Sequence, residues 1–308
     1  MMEIIVLGSA AGGGFPQWNC NSLASQRVRN HDPFAKYRTQ ASIAVSADHE
    51  HWFIINASPD LRSQILATQE LTPKEGKRST PIAGVILTGG EVDVVAGLLT
   101  LREREHFNLL ATSEVLHILQ SNPIFSALDP NFVNRQTLRL EHPQELNLKN
   151  GAPSGLTITA FAVPGKVPLY LEKEEDPAAI TENGDTIGLK ITDGKKTVFY
   201  IPGCAFIPLS LAQRLYGADA VFFDGTLWRD DEMIKAGLSE KTGQRMGHMS
   251  IHGDQGTLKA FEHIKINQKI FIHVNNSNPI LLEDSPEYRL TQQAGWDVAF
   301  DGMRIIYE

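Results

Sequence analysis

Short apolar runs, many of them rich in β-branched residues, recur along the chain and stop at glycine, proline or polar residues. Such runs are typical of buried β-strands. Segments compatible with helices lie between them, for example residues 61–68, 94–105 and 209–215. Strands that alternate with helices, together with an early hairpin, favour an α/β sandwich of mixed sheets. The predicted strands are residues 3–7, 41–46, 52–56, 81–87, 156–163, 197–201, 220–223 and 269–274.

Composition excludes several classes of protein. The 308 residues carry 36 Asp and Glu against 28 Lys and Arg, for a formal charge of −8, whereas proteins that bind nucleic acid need a basic face. No apolar stretch approaches the roughly 18–20 residues of a membrane span. The chain begins without a signal-like segment and has only Cys20 and Cys204, which argues against a disulfide framework. We expect a cytoplasmic enzyme or binding protein, with one domain over residues 1–308.

The loop after the first predicted strand argues against the common nucleotide-binding folds. Residues 8–16 (GSAAGGGFP) lack the glycine spacing of the dinucleotide-binding motif and the Gly-Lys-Ser/Thr ending of the P-loop. Pro16 and three consecutive glycines also disfavour the helix that a phosphate site would need.

Acidic and imidazole side chains follow three of the predicted strands. Glu91 and Asp93 come after residues 81–87, Asp224 follows residues 220–223, and His273 ends the run that begins at residue 269. His248 lies in a glycine-bearing loop. Because a rigid strand end can aim a side chain into a crevice, these groups could converge on one site.

Each of these residues also has an ordinary structural interpretation. Asp93 could cap a helix that begins at Val94. Asp224 precedes Gly-Thr and could be a turn residue, and each histidine alone could simply be hydrogen-bonded. The joint pattern of strand-end acids and histidines nevertheless favours a metal site.

The order of these residues resembles that of the metallo-β-lactamase superfamily, whose motif reads Thr-His-x-His-x-Asp-His. Thr88 and Asp93 match this motif, whereas Gly89, Glu91 and Val94 stand at its histidine positions. The resemblance implies an α/β fold of the metallo-β-lactamase type, an αββα sandwich of two mixed sheets flanked by helices. A two-zinc hydrolase is not expected, because a hydroxide that bridges two zinc ions needs the missing histidines.

Longer phrases resemble one family within this superfamily, coenzyme PQQ synthesis protein B. They are VLGSAAGGGFPQWNCN (6–21), RTQASI (38–43), NASPD (56–60), FDGTL (223–227), TGQRMGH (242–248) and HVNNSNP (273–279), and they span nearly the whole chain. The chain departs from the family pattern at Val94, where members usually carry histidine. It also has Cys20, Ser22 and Ser25 in place of a Cys-x-Cys-x-x-Cys zinc knuckle, so no structural zinc is expected at Cys20.

The resemblance implies a role in making pyrroloquinoline quinone (PQQ) from a peptide-derived, cross-linked Glu-Tyr precursor, alongside other proteins of that pathway. Two roles are open: an iron-dependent hydroxylase of the tyrosine ring, and a non-catalytic carrier of PQQ or its precursor towards the periplasm. Imidazoles combined with carboxylates suit non-haem Fe(II), which favours the hydroxylase. The expected metal ligands are Glu91, Asp93, Asp224, His248 and His273, with Asp93 and His273 catalytic.

Four further residues are candidates for binding the substrate. Arg38, Arg62 and Arg102 could hold substrate carboxylates in bidentate fashion. Trp18 could line a pocket for an aromatic ring. Surface ion pairs for the arginines and core packing for the tryptophan are the ordinary alternatives.

Overall fold

Two seven-stranded sheets form the centre of the computed structural model, which describes residues 1–172 and 180–308. The first sheet has the order β14-β1-β2-β3-β4-β5-β6, antiparallel from β14 to β3 and parallel from β3 to β6. Its strands are β1 (Met2–Gly8), β2 (Ser42–Ser46), β3 (Trp52–Ile55), β4 (Ile82–Ile86), β5 (Phe107–Ala111), β6 (Val133–Thr137) and β14 (Arg304–Tyr307).

The second sheet has the order β13-β12-β11-β10-β9-β8-β7. It is parallel from β13 to β10 and antiparallel from β10 to β7, so both sheets are mixed. Its strands are β7 (Pro143–Asn147), β8 (Pro153–Ala162), β9 (Ile187–Thr192), β10 (Thr197–Ile201), β11 (Ala220–Asp224), β12 (Gln268–Ile272) and β13 (Trp296–Val298).

Short helices connect the strands. The α-helices are α1 (Leu23–Arg29), α2 (Leu61–Ala67), α3 (Val92–Val95), α4 (Ser113–Ser121), α5 (Leu209–Leu215), α6 (Glu232–Lys235), α7 (Thr257–Ala260) and α8 (Pro286–Gln293). Short 3₁₀ segments of three to six residues cover Gln69–Leu71, Ala96–Leu101, Pro123–Ala127, Leu169–Leu171, Gln244–Met246 and Pro279–Leu281. None of the helices in the described ranges is long and apolar enough to cross a bilayer.

Three apolar layers hold the sandwich together, as alternating strand side chains predict. The layer between the sheets joins residues of both, including Ile4, Val45, Phe53, Ile158, Tyr200 and Phe222. Helices cover the outer faces: Leu61 and Val115 pack on the first sheet, and Leu211 and Phe261 pack on the second. The predicted αββα sandwich of two mixed sheets is therefore confirmed.

The structure does not form the single helix that the sequence predicts over residues 94–105. The segment forms the one-turn helix α3 and then the 3₁₀ turn Ala96–Leu101. Gly97 lies against the chain after β3: its N–H donates to the Ala57 carbonyl at 2.8 Å, and a Cβ there would lie 1.9 Å from the Ser58 carbonyl oxygen. This close backbone contact, which apolar periodicity does not report, holds the segment that carries Asp93.

Candidate metal centre

Two histidines and one buried aspartate meet where the parallel strands of the second sheet end. Asp224 is the last residue of β11 and is fully buried. His273 directly follows β12, and His248 follows the turn Gln244–Met246. One potential ligand atom from each of these residues lies within 4.8 Å of the other two.

The side chains contact one another directly. Asp224 Oδ2 lies 2.8 Å from Nδ1 of His248. The His248 and His273 rings stack, with centroids 5.2 Å apart and planes 20° apart. Asp93, which α3 contributes from the first sheet, places Oδ2 at 3.0 Å from Nε2 of His273. The cluster is therefore built from both sheets.

The Thr226 hydroxyl orients both imidazoles. Its Oγ1 lies 2.6 Å from Asp224 Oδ1, 2.9 Å from His273 Nδ1 and 3.1 Å from His248 Nδ1. Because the single hydroxyl proton goes to the carboxylate, Oγ1 accepts from Nδ1–H of His273, which leaves Nε2 of that ring facing Asp93. Sequence reasoning missed Thr226, since its position after Asp-Gly also suits an ordinary turn.

His273 has a left-handed backbone conformation, with a φ of 59°. Such a conformation is uncommon for a residue with a Cβ and persists where the surroundings fix it. Hydrogen bonds on its C-terminal side do so: Val274 donates to the Ser9 carbonyl at 3.0 Å, and Asn275 donates to the Thr226 carbonyl at 3.0 Å. The bend at the end of β12 aims the ring at Asp93.

Electrostatics couple Asp93 to His273. Burial opposes ionisation of both groups, but their mutual hydrogen bond and opposite charges outweigh it. The pKa of Asp93 is therefore lowered and the pKa of His273 is raised. Both groups of the pair therefore favour their charged forms. A metal cation bound there would compete with the proton between them for the lone pairs of His273 Nε2 and Asp93 Oδ2.

Glu91 lies on the cavity wall apart from the cluster. Its Oε1 accepts the Leu169 N–H at 3.1 Å and lies 3.9 Å from Lys166 Nζ, while burial raises its pKa. The structure thus brings together four of the five expected ligands and leaves Glu91 outside. Glu91 is also the residue that precedes α3, so the alternative that Asp93 caps a helix from Val94 is wrong.

A cavity of about 390 Å³ opens onto the cluster, within the range that encloses small molecules. Glycine faces the imidazoles: a Cβ at Gly203 would lie 3.4 Å from His248 Cε1. Met233 and Met246, whose flexible thioethers suit contact with aromatic rings, also line the cavity. Its polar lining includes Asn56, Thr88, Glu91, Lys166, Asp185 and Asn275.

The four residues expected to bind substrate lie elsewhere, which corrects that expectation. Arg38 is 1% exposed, and its guanidinium donates to the Ala299 carbonyl inside the protein. Arg62 lines a separate apolar groove beside α2. Arg102 is exposed and donates to the Leu99 carbonyl at 3.1 Å, and Trp18 is 91% exposed. Among the described residues that line the cavity, none of these four appears.

The two cysteines have opposite environments. Sγ of Cys20 lies 3.0 Å from Nδ2 of Asn276 and 3.3 Å from Oγ of Ser22. Burial opposes ionisation of this thiol, but hydrogen bonds from Ser22, Ser25 and Asn276 lower its pKa to about 7. Cys204 is buried, which raises the pKa of its thiol, and its backbone N–H donates to Asp224 at 2.9 Å.

The donor set fits a metal ion. Bonds of about 2.0–2.2 Å to nitrogen and oxygen place neighbouring ligand atoms roughly 3–4 Å apart. The potential ligand atoms of Asp224, His248 and His273 all lie within 4.8 Å of one another, slightly wider than this spacing. Hydrogen bonds from Thr226 and the Cys204 N–H to Asp224 supply the outer support that metal ligands require. Small shifts of the side chains would therefore seat one cation.

Comparison with known proteins agrees with this architecture. A model of the β-lactamase superfamily domain matches residues 51–274. Coenzyme PQQ synthesis protein B of Gluconacetobacter diazotrophicus is 64% identical over 305 residues and covers 99% of each chain, and the protein of that name from Gluconobacter oxydans is 55% identical over 303 residues and 98% of each chain. A crystal structure of Zn²⁺-bound PqqB from Methylobacterium extorquens is 45% identical, with a TM-score of 0.94, covering 99% of this chain and 100% of the other.

These matches cover nearly the full length of each chain. The chain belongs to the coenzyme PQQ synthesis protein B family of the β-lactamase superfamily, whose fold binds metals.

Proposed function

We propose that this protein is an Fe(II)-dependent hydroxylase of PQQ biosynthesis that acts on the tyrosine ring of the peptide-derived Glu-Tyr precursor. The observation that carries the proposal is the donor set of Asp224, His248 and His273 at the cavity. Two histidines and one carboxylate with open positions are the ligand pattern of non-haem iron oxygenases. The family membership supports a role in PQQ biosynthesis.

Fe(II) held by Asp224, His248 and His273 would supply activation of dioxygen. Hydroxylation puts one oxygen atom of dioxygen on the ring in place of a hydrogen, and the other atom leaves as water after two electrons from an external reductant such as ascorbate and two protons arrive. Zn²⁺, which the 45% identical structure contains, supports metal binding by this fold, but zinc has no redox chemistry of its own.

The chain's own residues position the substrate and hold protons. Asp93, on the cavity wall beside His273, is the proposed acceptor for the proton that leaves the ring. In the metal-free chain its Oδ2 lies 3.0 Å from His273 Nε2, and this contact lowers its pKa, so the carboxylate is ionised. Thr226 keeps both imidazoles aimed at the same point.

Anaerobic purification, iron analysis, and oxygen uptake with the Glu-Tyr precursor and ascorbate as the reductant test the proposal. We expect bound iron and one hydroxylated product per turnover, detected by mass spectrometry. His273→Ala should lose both iron and product, whereas His117→Ala, on an exposed position of α4, should keep both. Absence of iron and of product from the unaltered protein would contradict the proposal.

The size of the cavity favours a second candidate, a carrier for PQQ or its precursor. A space of about 390 Å³ can enclose a small aromatic acid without any reaction. A carrier should still bind PQQ after His273→Ala removes a metal ligand. A loss of binding together with the metal would count against the carrier.

A further inference from the structure

Three cationic side chains beside the cavity converge on one carboxylate. Glu172 Oε1 lies 2.7 Å from Lys166 Nζ, and Glu172 Oε2 lies 2.9 Å from Lys241 Nζ. Arg245 places Nη2 at 3.7 Å from the same Oε2. Both oxygens of Glu172 are therefore held by cations, as a bound carboxylate would be.

This basic cluster, Lys166, Lys241 and Arg245, is continuous with the metal cavity. Lys166 lines the cavity, and its side chain is only 9% exposed. Arg245 precedes Met246, Gly247 and His248, all of which line the cavity. Lys241 and Arg245 are about one third exposed, so the cluster reaches from the cavity to solvent.

Within residues 1–172 and 180–308, the three cations of the cluster outnumber the two carboxylates that lie within 4 Å of them. Its three cations face Glu172 and, at 3.9 Å from Lys166, Glu91. Among the residues that the structure describes, Nη1 of Arg245 is buried without a hydrogen-bond partner. The hydrogen bond from Lys166, with that from Lys241 and the charges of both lysines, outweighs the opposing effect of burial and lowers the pKa of Glu172 to about 2, so this carboxylate is ionised at neutral pH.

We propose that Lys166, Lys241 and Arg245 form the recognition site for a carboxylate of the ligand, and that Glu172 competes with it for these cations. This inference deepens the proposed function and rests on it for the identity of the ligand, an aromatic molecule with several carboxylates. Binding of substrate carboxylates, which the sequence predicts for Arg38, Arg62 and Arg102, is thereby assigned to residues that border the cavity. Lys166 would hold the ligand carboxylate nearest the metal cluster.

A purely structural role makes a different prediction. If the cluster only fastened Glu172 to the fold, then losing either the carboxylate or a cation would loosen the same contact. Both changes would then affect ligand binding in the same direction. Competition instead predicts opposite directions, because removal of Glu172 frees the cations and removal of a cation weakens the site.

Calorimetric titration of the full chain with PQQ tests this, with the methyl ester of PQQ as the uncharged control ligand. We expect Glu172→Gln to tighten PQQ binding by roughly threefold or more, and Lys166→Met and Arg245→Gln each to weaken it by roughly tenfold, as expected for loss of a charge-assisted hydrogen bond. Binding of the ester should not change. Arg245→Lys, which keeps the charge, should recover part of the affinity.

The exposed pair Lys259 and Glu262, whose charged atoms lie 2.6 Å apart, provides matched controls. Lys259→Met and Glu262→Gln should leave PQQ binding unchanged. Weaker or unchanged binding by Glu172→Gln, or equal binding of acid and ester by the unaltered chain, would overturn the inference. If the variants bind PQQ as expected but the protein hydroxylates no precursor, only the proposed function is contradicted. If the protein hydroxylates the precursor but the variants do not bind PQQ as expected, only the inference about the basic cluster is contradicted.

Discussion

At the scale of single residues, Thr226 is a side chain that can affect metal affinity without contacting the metal. Its hydroxyl contacts Asp224 and both histidines. We expect Thr226→Val, which keeps the shape and removes the hydroxyl, to weaken metal binding by about 10–100-fold. Competition with a coloured chelator for Zn²⁺, which avoids oxidation during the assay, measures the affinity.

Thr226→Ser provides the matched control, since it restores the hydroxyl on a smaller side chain. Its metal affinity should lie close to that of the unaltered protein. If the Val and Ser variants bound metal equally, the hydroxyl would have no part in orienting the imidazoles.

The two cysteines should differ sharply in their dependence on pH. The thiolate is the reactive form, and hydrogen bonds to Cys20 lower its pKa to about 7. Alkylation of Cys20 by iodoacetamide should therefore accelerate as pH rises through about 7 and level off above it. Cys204, buried and with a raised pKa, should stay unmodified in the folded chain.

Mass spectrometry of peptides that contain each cysteine gives both rates. Ser22→Ala removes one hydrogen bond to Cys20 and should move the midpoint to higher pH. A midpoint near the ordinary thiol value of about 8.5 in the unaltered chain would show that these contacts do not stabilise the thiolate.

The sequence predicts site residues that directly follow a β-strand, because the strand fixes where their side chains lie. It does not predict residues that reach the site only through contacts between distant segments of the chain. Asp224 and His273 follow apolar runs, and the structure brings them together. The chemistry of arginine predicts a carboxylate partner, yet Arg38 is buried and its guanidinium donates to the Ala299 carbonyl. Lys166 and Arg245 are separated by 79 positions (245 − 166), and only the fold places them around Glu172.

At the scale of elements, the segment from α3 to the turn Ala96–Leu101 depends on Gly97. A methyl group there would collide with the Ser58 carbonyl. We expect Gly97→Ala to lower the free energy of unfolding by about 1–3 kcal/mol, the usual cost of overpacking.

Urea unfolding followed by circular dichroism measures the stability. Thr100→Ala, in the same turn and only partly buried, should cost less than about 1 kcal/mol. Equal stability of Gly97→Ala and the unaltered chain would show that the two backbones can separate without cost.

Strands were easier to predict than helices for a physical reason. A buried strand needs only a short apolar run, and β10 occupies the predicted residues 197–201. The helices are mostly one or two turns long, too short for a clear apolar stripe. Their bounds are set by tertiary contacts such as that of Gly97.

At the scale of the whole molecule, the metal cluster joins the two sheets. Asp93 comes from the first sheet's side, and Asp224, His248 and His273 come from the second. The proposed iron ligands all come from the second sheet, and an ion that binds only the folded chain stabilises that chain by mass action. Free metal at about 100 times its dissociation constant would add about 2.7 kcal/mol to the free energy of unfolding.

We expect a chelator to lower the Tm of the metal-loaded protein by several degrees. The Tm of His273→Ala should respond little to metal or chelator, while His117→Ala should behave like the unaltered protein. If metal raised the Tm of His273→Ala as much as that of the unaltered protein, the stabilising ion would bind at another site.

Anomalous diffraction at the iron edge, from crystals loaded with Fe²⁺ without oxygen, tests the central claim most directly. We predict one iron peak within bonding distance of His248, His273 and Asp224, at the floor of the cavity. Iron bound elsewhere, or no iron peak between these three side chains, would contradict the account.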